Sequence, residues 1–169
     1  MKTRKLSMTM LTMAMLVGLY GIAQASNTSS QSVSYEVANI NEIDMIGNPN
    51  PLVIDTALAG YQPYADTDNS TTYSITTNGS TKKITAKIDS AMPEDLALRI
   101  LLDPPSTTGT SAGEVTLTIT EQTVVSGISP VVAKNIKILY TLAPVGDTPP
   151  TPTSGIKTVT FTLTDAGGQ

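Results

Sequence analysis

Apolar and polar side chains alternate along most of this chain, with the period of two that sends successive side chains to opposite faces of a β-strand. Val33, Tyr35 and Val37 alternate with Ser34, Glu36 and Ala38 and predict a first strand. Residues 71–77 and 80–88 form two further alternating runs with Asn78-Gly79 between them. Asn and Gly both tolerate the positive φ of a two-residue turn, so this stretch predicts a hairpin whose apolar face is Tyr73, Ile75, Ile84 and Ile88.

Residues 96–102, Leu-Ala-Leu-Arg-Ile-Leu-Leu, lie between Pro93 and Pro104-Pro105. Their composition would permit a helix, but so short a run bounded by prolines suits a strand better. Val115, Leu117 and Ile119 alternate with threonines, and Val124-Val125 continue that strand or begin another. Ile136, Ile138 and Tyr140 alternate with Lys137, Leu139 and Thr141, and the pattern returns in Val159, Phe161 and Leu163 opposite Thr158, Thr160 and Thr162.

Between these runs the chain is punctuated. Pro49 and Pro51 force a turn, residues 57–69 read as a long exposed loop with a short helical turn over 55–59 as the alternative, and residues 144–152 read as a semi-rigid hairpin loop. Roughly seven to nine strands with no amphipathic helix among them make the fold class all-β. The expected architecture is an antiparallel β-sandwich of the immunoglobulin-like kind, with a jelly roll as the alternative. The many threonines fit strand faces that meet water.

The N-terminus breaks the pattern. Lys2, Arg4 and Lys5 precede an uncharged run from Leu6 to Ile22, and Ala23-Gln24-Ala25 offers small residues two apart. This three-part arrangement predicts a helical signal peptide over residues 1–25, cleaved after Ala25. A retained membrane anchor is the competing reading, but the run is short beside the ~20 residues of a spanning helix and holds Ser7, Thr9 and Thr12. Residues 26–32 are small and polar and predict a flexible arm. Residues 33–169 are left as one domain, a size that can bury a single core. Its expected location is outside the cytoplasm: released, on the cell surface or in the periplasm. No sorting signal or second apolar span is expected to anchor its C-terminal end.

Charge and missing residue types narrow the function further. The chain has 10 Lys and Arg against 14 Asp and Glu. Three of those cations precede Leu6, which leaves seven against fourteen, a net charge of −7, from Ser26 onward. So acidic a domain repels phosphate backbones and anionic surfaces, so neither nucleic acid nor, after signal cleavage, a membrane is an expected partner. There is no cysteine, histidine or tryptophan. Stability must then come from burial and β hydrogen bonds rather than disulfides. The commonest general base and metal ligand, and the commonest sugar-stacking ring, are also missing.

The segments Ser-Ile-Thr-Thr-Asn-Gly-Ser-Thr-Lys-Lys-Ile over residues 74–84 and Lys-Thr-Val-Thr-Phe-Thr-Leu-Thr-Asp over 157–165 resemble small secreted bacterial β-proteins of uncharacterised function. The resemblance implies a bacterial source and supplies no site residues.

Candidate chemistry is sparse. Asp66, Asp68 and Asn69 put oxygen ligands close together, as calcium prefers. The run departs from an EF-hand loop at its sixth position, Thr71, and its twelfth, Thr77, so a turn held by Asp and Asn side chains is the plainer reading. Tyr61 and Tyr64 flank Gln62-Pro63 and could offer a platform for a glycan or act as loop plugs over a core edge. Glu94, Asp95, Glu114 and Glu121 are the remaining acid–base candidates, but a glycosidase needs two carboxylates across an aromatic-lined cleft, which five tyrosines and one phenylalanine can hardly build. Asn27, Asn69 and Asn78 match the N-glycosylation pattern, as chance often produces in a chain rich in Ser and Thr. No catalytic, metal or cofactor site is assigned.

The expectation is a secreted, non-enzymatic structural or surface protein that associates with itself through strand edges. Residues 26–37 would act as a donor strand and residues 158–164 as an acceptor edge. An extracellular carbohydrate- or ligand-binding module using Tyr61, Tyr64, Asp66, Asp68 and Asn69 is the second reading, and a carboxylate-dependent hydrolase the third.

Overall fold

The structure is a computed structural model that describes residues 28–167. The expected signal peptide, Ser26 and Asn27 lie outside the described residues. The chain divides into two compact units, Met1–Glu36 and Val37–Gln169. In the first, residues 28–36 are exposed and form no strand.

Ten strands make up the second unit, and every pair is antiparallel. One sheet contains β1 (Asn41–Ile46), β2 (Asp66–Asp68), β3 (Thr72–Thr77), β5 (Leu96–Leu102), β7 (Val115–Thr116) and β9 (Val131–Pro144). Its order is β1-β3-β9-β5-β7, with β2 also on β9. The other contains β4 (Lys82–Ile88), β6 (Thr110–Ser111), β8 (Gln122–Ile128) and β10 (Val159–Asp165), in the order β10-β4-β8-β6. There is no helix among the described residues. The protein is all-β, two antiparallel sheets arranged as a β-sandwich.

The strand expected at residues 33–37 is not formed, and the first strand begins at Asn41. The alternation is there, but no neighbour among the described residues supplies a ladder for its backbone or a face to cover Val33, Tyr35 and Val37, and an unpaired strand is not stable by itself.

The hairpin expected at Asn78-Gly79 is also not formed. β3 pairs with β1 and β9, whereas β4 pairs with β10 and β8. The four-residue link 78–81 therefore carries the chain from one sheet to the other. The positive φ in it belongs to Thr81, at 60°, and not to Asn78 or Gly79. The Asn78 side chain is spent elsewhere: its Oδ1 accepts the Ile40 N–H at 2.8 Å and its Nδ2 donates to the Ala38 carbonyl at 2.8 Å. Tyr73 and Ile75 on one sheet, and Ile84 and Ile88 on the other, are all buried. The residues of the expected apolar face are right, but they belong to two sheets that share one core.

The same crossing recurs throughout. From β3 to β10 each successive strand lies in the other sheet, and no two consecutive strands of the described chain pair. β9 ties the larger sheet together: its first half pairs with β3, and its second half lies between β5 and β2. Ile100, Leu102, Ile138, Val124 and Ile128 complete the core with exposures of 0–1 %. Burying each such side chain contributes on the order of 1.5–3 kcal/mol, which is what holds the sheets together without disulfides.

Candidate functional site

Prolines end strands because they cannot donate to a ladder. Two proline-containing segments far apart in sequence, residues 49–54 and 150–157, both line one groove of about 1160 Å³. Leu98 of β5 and Tyr140 of β9 line it from the larger sheet, and Val159 of β10 from the smaller. Met92 joins them from the link between β4 and β5.

The first wall is an extended run that fails to become a strand. Pro49 and Pro51 have no N–H, and Leu52 and Ile54 turn inward between exposed Pro51, Val53 and Asp55. In place of a backbone ladder, two carboxylates of β2 hold this run. Asp66 Oδ2 accepts the Val53 N–H at 2.7 Å, and Asp68 Oδ1 accepts Asn50 Nδ2 at 2.7 Å. Asp68 Oδ2 also accepts the Ser70 N–H at 3.1 Å and the Ser70 hydroxyl at 2.7 Å. Burial by itself would raise the Asp68 carboxyl, but the hydrogen bonds from Ser70 and Asn50 outweigh it and hold the group below the ordinary carboxylate range.

The second wall is held in a similar way. Asp95 Oδ2 accepts both the N–H of Thr151, at 2.7 Å, and its hydroxyl, at 2.9 Å, and these bonds lower the Asp95 pKa. Lys157 Nζ donates to Ser90 Oγ at 2.9 Å and to the Ala91 carbonyl at 2.8 Å. Among the described residues, Lys157 is the one charged residue lining the groove. At the buried side, Tyr140 has its phenol pushed up to about 12, by desolvation first and by the charge of Asp68 second.

The residues singled out from the sequence divide. Asp66 and Asp68 belong to β2, not to an open loop, and their oxygens are occupied by Val53, Asn50, Thr67 and Ser70. Asn69 follows them, exposed. No group of three or more His, Cys, Asp or Glu side chains among the described residues is arranged to hold a metal ion. Tyr61 and Tyr64 are exposed, on a loop closed by the bridge between Ala57 and Pro63. Of this loop only Pro63 reaches the groove. Glu114 faces Arg99 at 3.5 Å and Glu121 faces Lys87 at 3.4 Å, both exposed pairs of small energetic weight. Of the acceptor asparagines, Asn69 is exposed, and the amide of Asn78 is held by Ile40 and Ala38.

The groove residues Leu52, Ile54, Met92, Tyr140 and Ile156 carry no chemical motif, so the sequence reading does not single them out. The available signal was the recurrence of proline at 49, 51, 150 and 152, which marks backbone that cannot close a sheet edge. No protein-family model matches the chain, and no curated protein or solved structure is detectably similar to it.

Proposed function

We propose that this protein is exported through the signal at residues 1–25 and acts outside the cytoplasm as a non-enzymatic structural or surface subunit that assembles with itself. The observation that carries this reading is the position of β10. It is a seven-residue strand at the open edge of the four-stranded sheet, and such an edge presents backbone donors and acceptors to an added strand. The groove beside it has no carboxylate among its lining residues, which favours binding over acid–base chemistry. Within the sandwich class, strict crossing between sheets favours the jelly-roll alternative. An immunoglobulin-like arrangement keeps sequence neighbours such as its first two strands in one sheet.

Size-exclusion chromatography and electron microscopy of the protein recovered from the medium or cell surface test the reading. Concentration-dependent assemblies are expected; a monomer under all solution conditions, or retention in the cytoplasm, would overturn it. The second reading, a carbohydrate-binding module, draws on the exposed Tyr61 and Tyr64 beside groove-lining Pro63. A glycan array tests it, with binding lost in Tyr61→Ala and Tyr64→Ala as its signature.

A further inference from the structure

We propose that the groove between residues 49–54 and 150–157 receives residues 33–37 of a second copy of this chain. This rests on the self-assembly reading and names its interface. It extends the acceptor from the edge of β10 into the groove that adjoins β10 at Val159.

The donor is exposed throughout and apolar at every second position. Val33, Tyr35 and Val37 are 80 %, 92 % and 75 % exposed, the one-faced alternation that strand addition uses, with backbone bonds giving affinity and alternate side chains filling pockets. The acceptor matches it in size and character. At about 1160 Å³ the groove exceeds the ~300–1,000 Å³ of small-molecule clefts. Its wall at residues 152–157 belongs to no strand. Ile156, 92 % exposed, and Val53, 55 % exposed, stand uncovered at it.

Charge agrees with shape. Lys157 is the one charged residue lining the groove among the described residues, and Glu36 is the one charge in the donor segment. With the three apolar side chains turned inward, Ser34 and Glu36 face the rim, where Lys157 can meet Glu36.

Chain reach decides which copy supplies the donor. Ala38 and Ile40 are bonded to Asn78 at one end of β1, and the groove begins at Pro49, past the other end. Six residues of strand separate the two ends by roughly 20 Å. Val37 directly precedes the bonded residue, so it cannot turn back over that distance. The chain enters β1 at the end remote from the groove, so the contact is head-to-tail, and one that does not close on itself propagates as an open filament.

The chain has no cysteine, which permits a clean test on the exported protein. Tyr35→Cys and Ile156→Cys are made separately, mixed and oxidised. The mixed disulfide dimer is expected at least tenfold above the yield from either variant alone. Tyr35→Asp and Ile156→Asp are each expected to weaken assembly at least tenfold, with unchanged circular dichroism since both side chains are already exposed. If wild-type protein assembles while both Asp variants assemble equally well and no mixed dimer forms, the groove proposal fails and the self-assembly reading stands. If wild-type protein is a monomer throughout, both fall. If a glycan binds wild-type protein, Ile156→Asp loses it and no mixed dimer forms, the groove belongs to a carbohydrate and the proposal is overturned.

Discussion

Asn50 and Asp68 are joined side chain to side chain at 2.7 Å, and this bond does the work of a ladder that the flanking prolines forbid. The groove wall is thus fastened to β2 by carboxylates, and it inherits their dependence on pH.

The Asp68 carboxyl is depressed in the folded protein. Its contribution is therefore present above the unfolded pKa of about 3.9 and is lost as pH falls through the lower folded value. Asp95 is depressed for the same kind of reason, by Thr151, so both walls should loosen together in acid. Amide exchange in residues 50–54 and 151–157 is expected to accelerate below about pH 4 before the core strands open. Asp68→Asn should lower Tm by about 2–4 °C at neutral pH and make little difference in acid. A variant that loses as much at both ends of the range would refute the linkage.

Tyr140 gives the opposite slope. Its phenol is raised to about 12, so the stability tied to its neutral form is complete below the unfolded pKa near 10 and disappears as pH rises through the folded value. Tyr73 is raised further, by burial and then by Asp103. Thermal stability should decline from about pH 10 upward, and phenolate absorbance from these two rings should appear with unfolding. Tyr140→Phe is expected to flatten that decline. Tyr73→Phe is a poorer control, because the Tyr73 hydroxyl also donates to the Asp103 carbonyl at 2.6 Å.

How much of this was legible in the sequence depends on whether a signal was local. The all-β class and the run 96–102 could be read because period and proline boundaries are local properties; β5 has those very bounds. Tyr73, Ile75, Ile84 and Ile88 were recognisable as core for the same reason. What covers a strand is not local. Val33 to Val37 has the pattern of a strand without a partner, and Asn78-Gly79 has the composition of a hairpin turn while its Asn side chain bonds residues 38 and 40. Asp66 and Asp68 were legible as a turn held by its own side chains, with calcium as the alternative, but their bonds to Asn50 and Val53 were not, because those partners precede them across a turn that the sequence leaves undefined.

Two glycines should respond differently to the same substitution. Gly109 has φ +86°, and an added Cβ would lie 3.2 Å from Ile128 Cγ1 and 3.3 Å from Val125 Cγ1, both in the core. Backbone strain of about 1–2 kcal/mol adds to crowding there, so Gly109→Ala should cost about 2 kcal/mol or more in denaturant unfolding. At Gly79 the Cβ would run into Lys82 Cε, but φ is not left-handed and the flexible lysine stem can move. What is at stake is the pair between Lys82, itself buried, and Asp165, whose exposure to solvent keeps the pair to about 1 kcal/mol. Equal costs at the two sites would contradict this account.

The crossing of every strand from β3 to β10 between sheets sets an expectation for folding. With no hairpin to form first, the nearest strand pairings in sequence join Ile100 to Val115 and Ser111 to Val125, and all others close longer loops. Closing a loop costs entropy before the contacts it permits can repay it. Proteins dominated by such non-local pairing fold in milliseconds to seconds, well behind helical bundles of similar stability. Stopped-flow refolding from denaturant, followed by tyrosine fluorescence and by far-ultraviolet circular dichroism, should therefore show the native signal arriving on that timescale with coincident phases in both probes. Ile100→Ala, which opens the centre of the core, should cost about 2–5 kcal/mol and raise the unfolding rate if that packing forms late. Native-like circular dichroism within the dead time, followed by slow fluorescence, would mean that local structure forms first, and would contradict the order of events that this topology imposes.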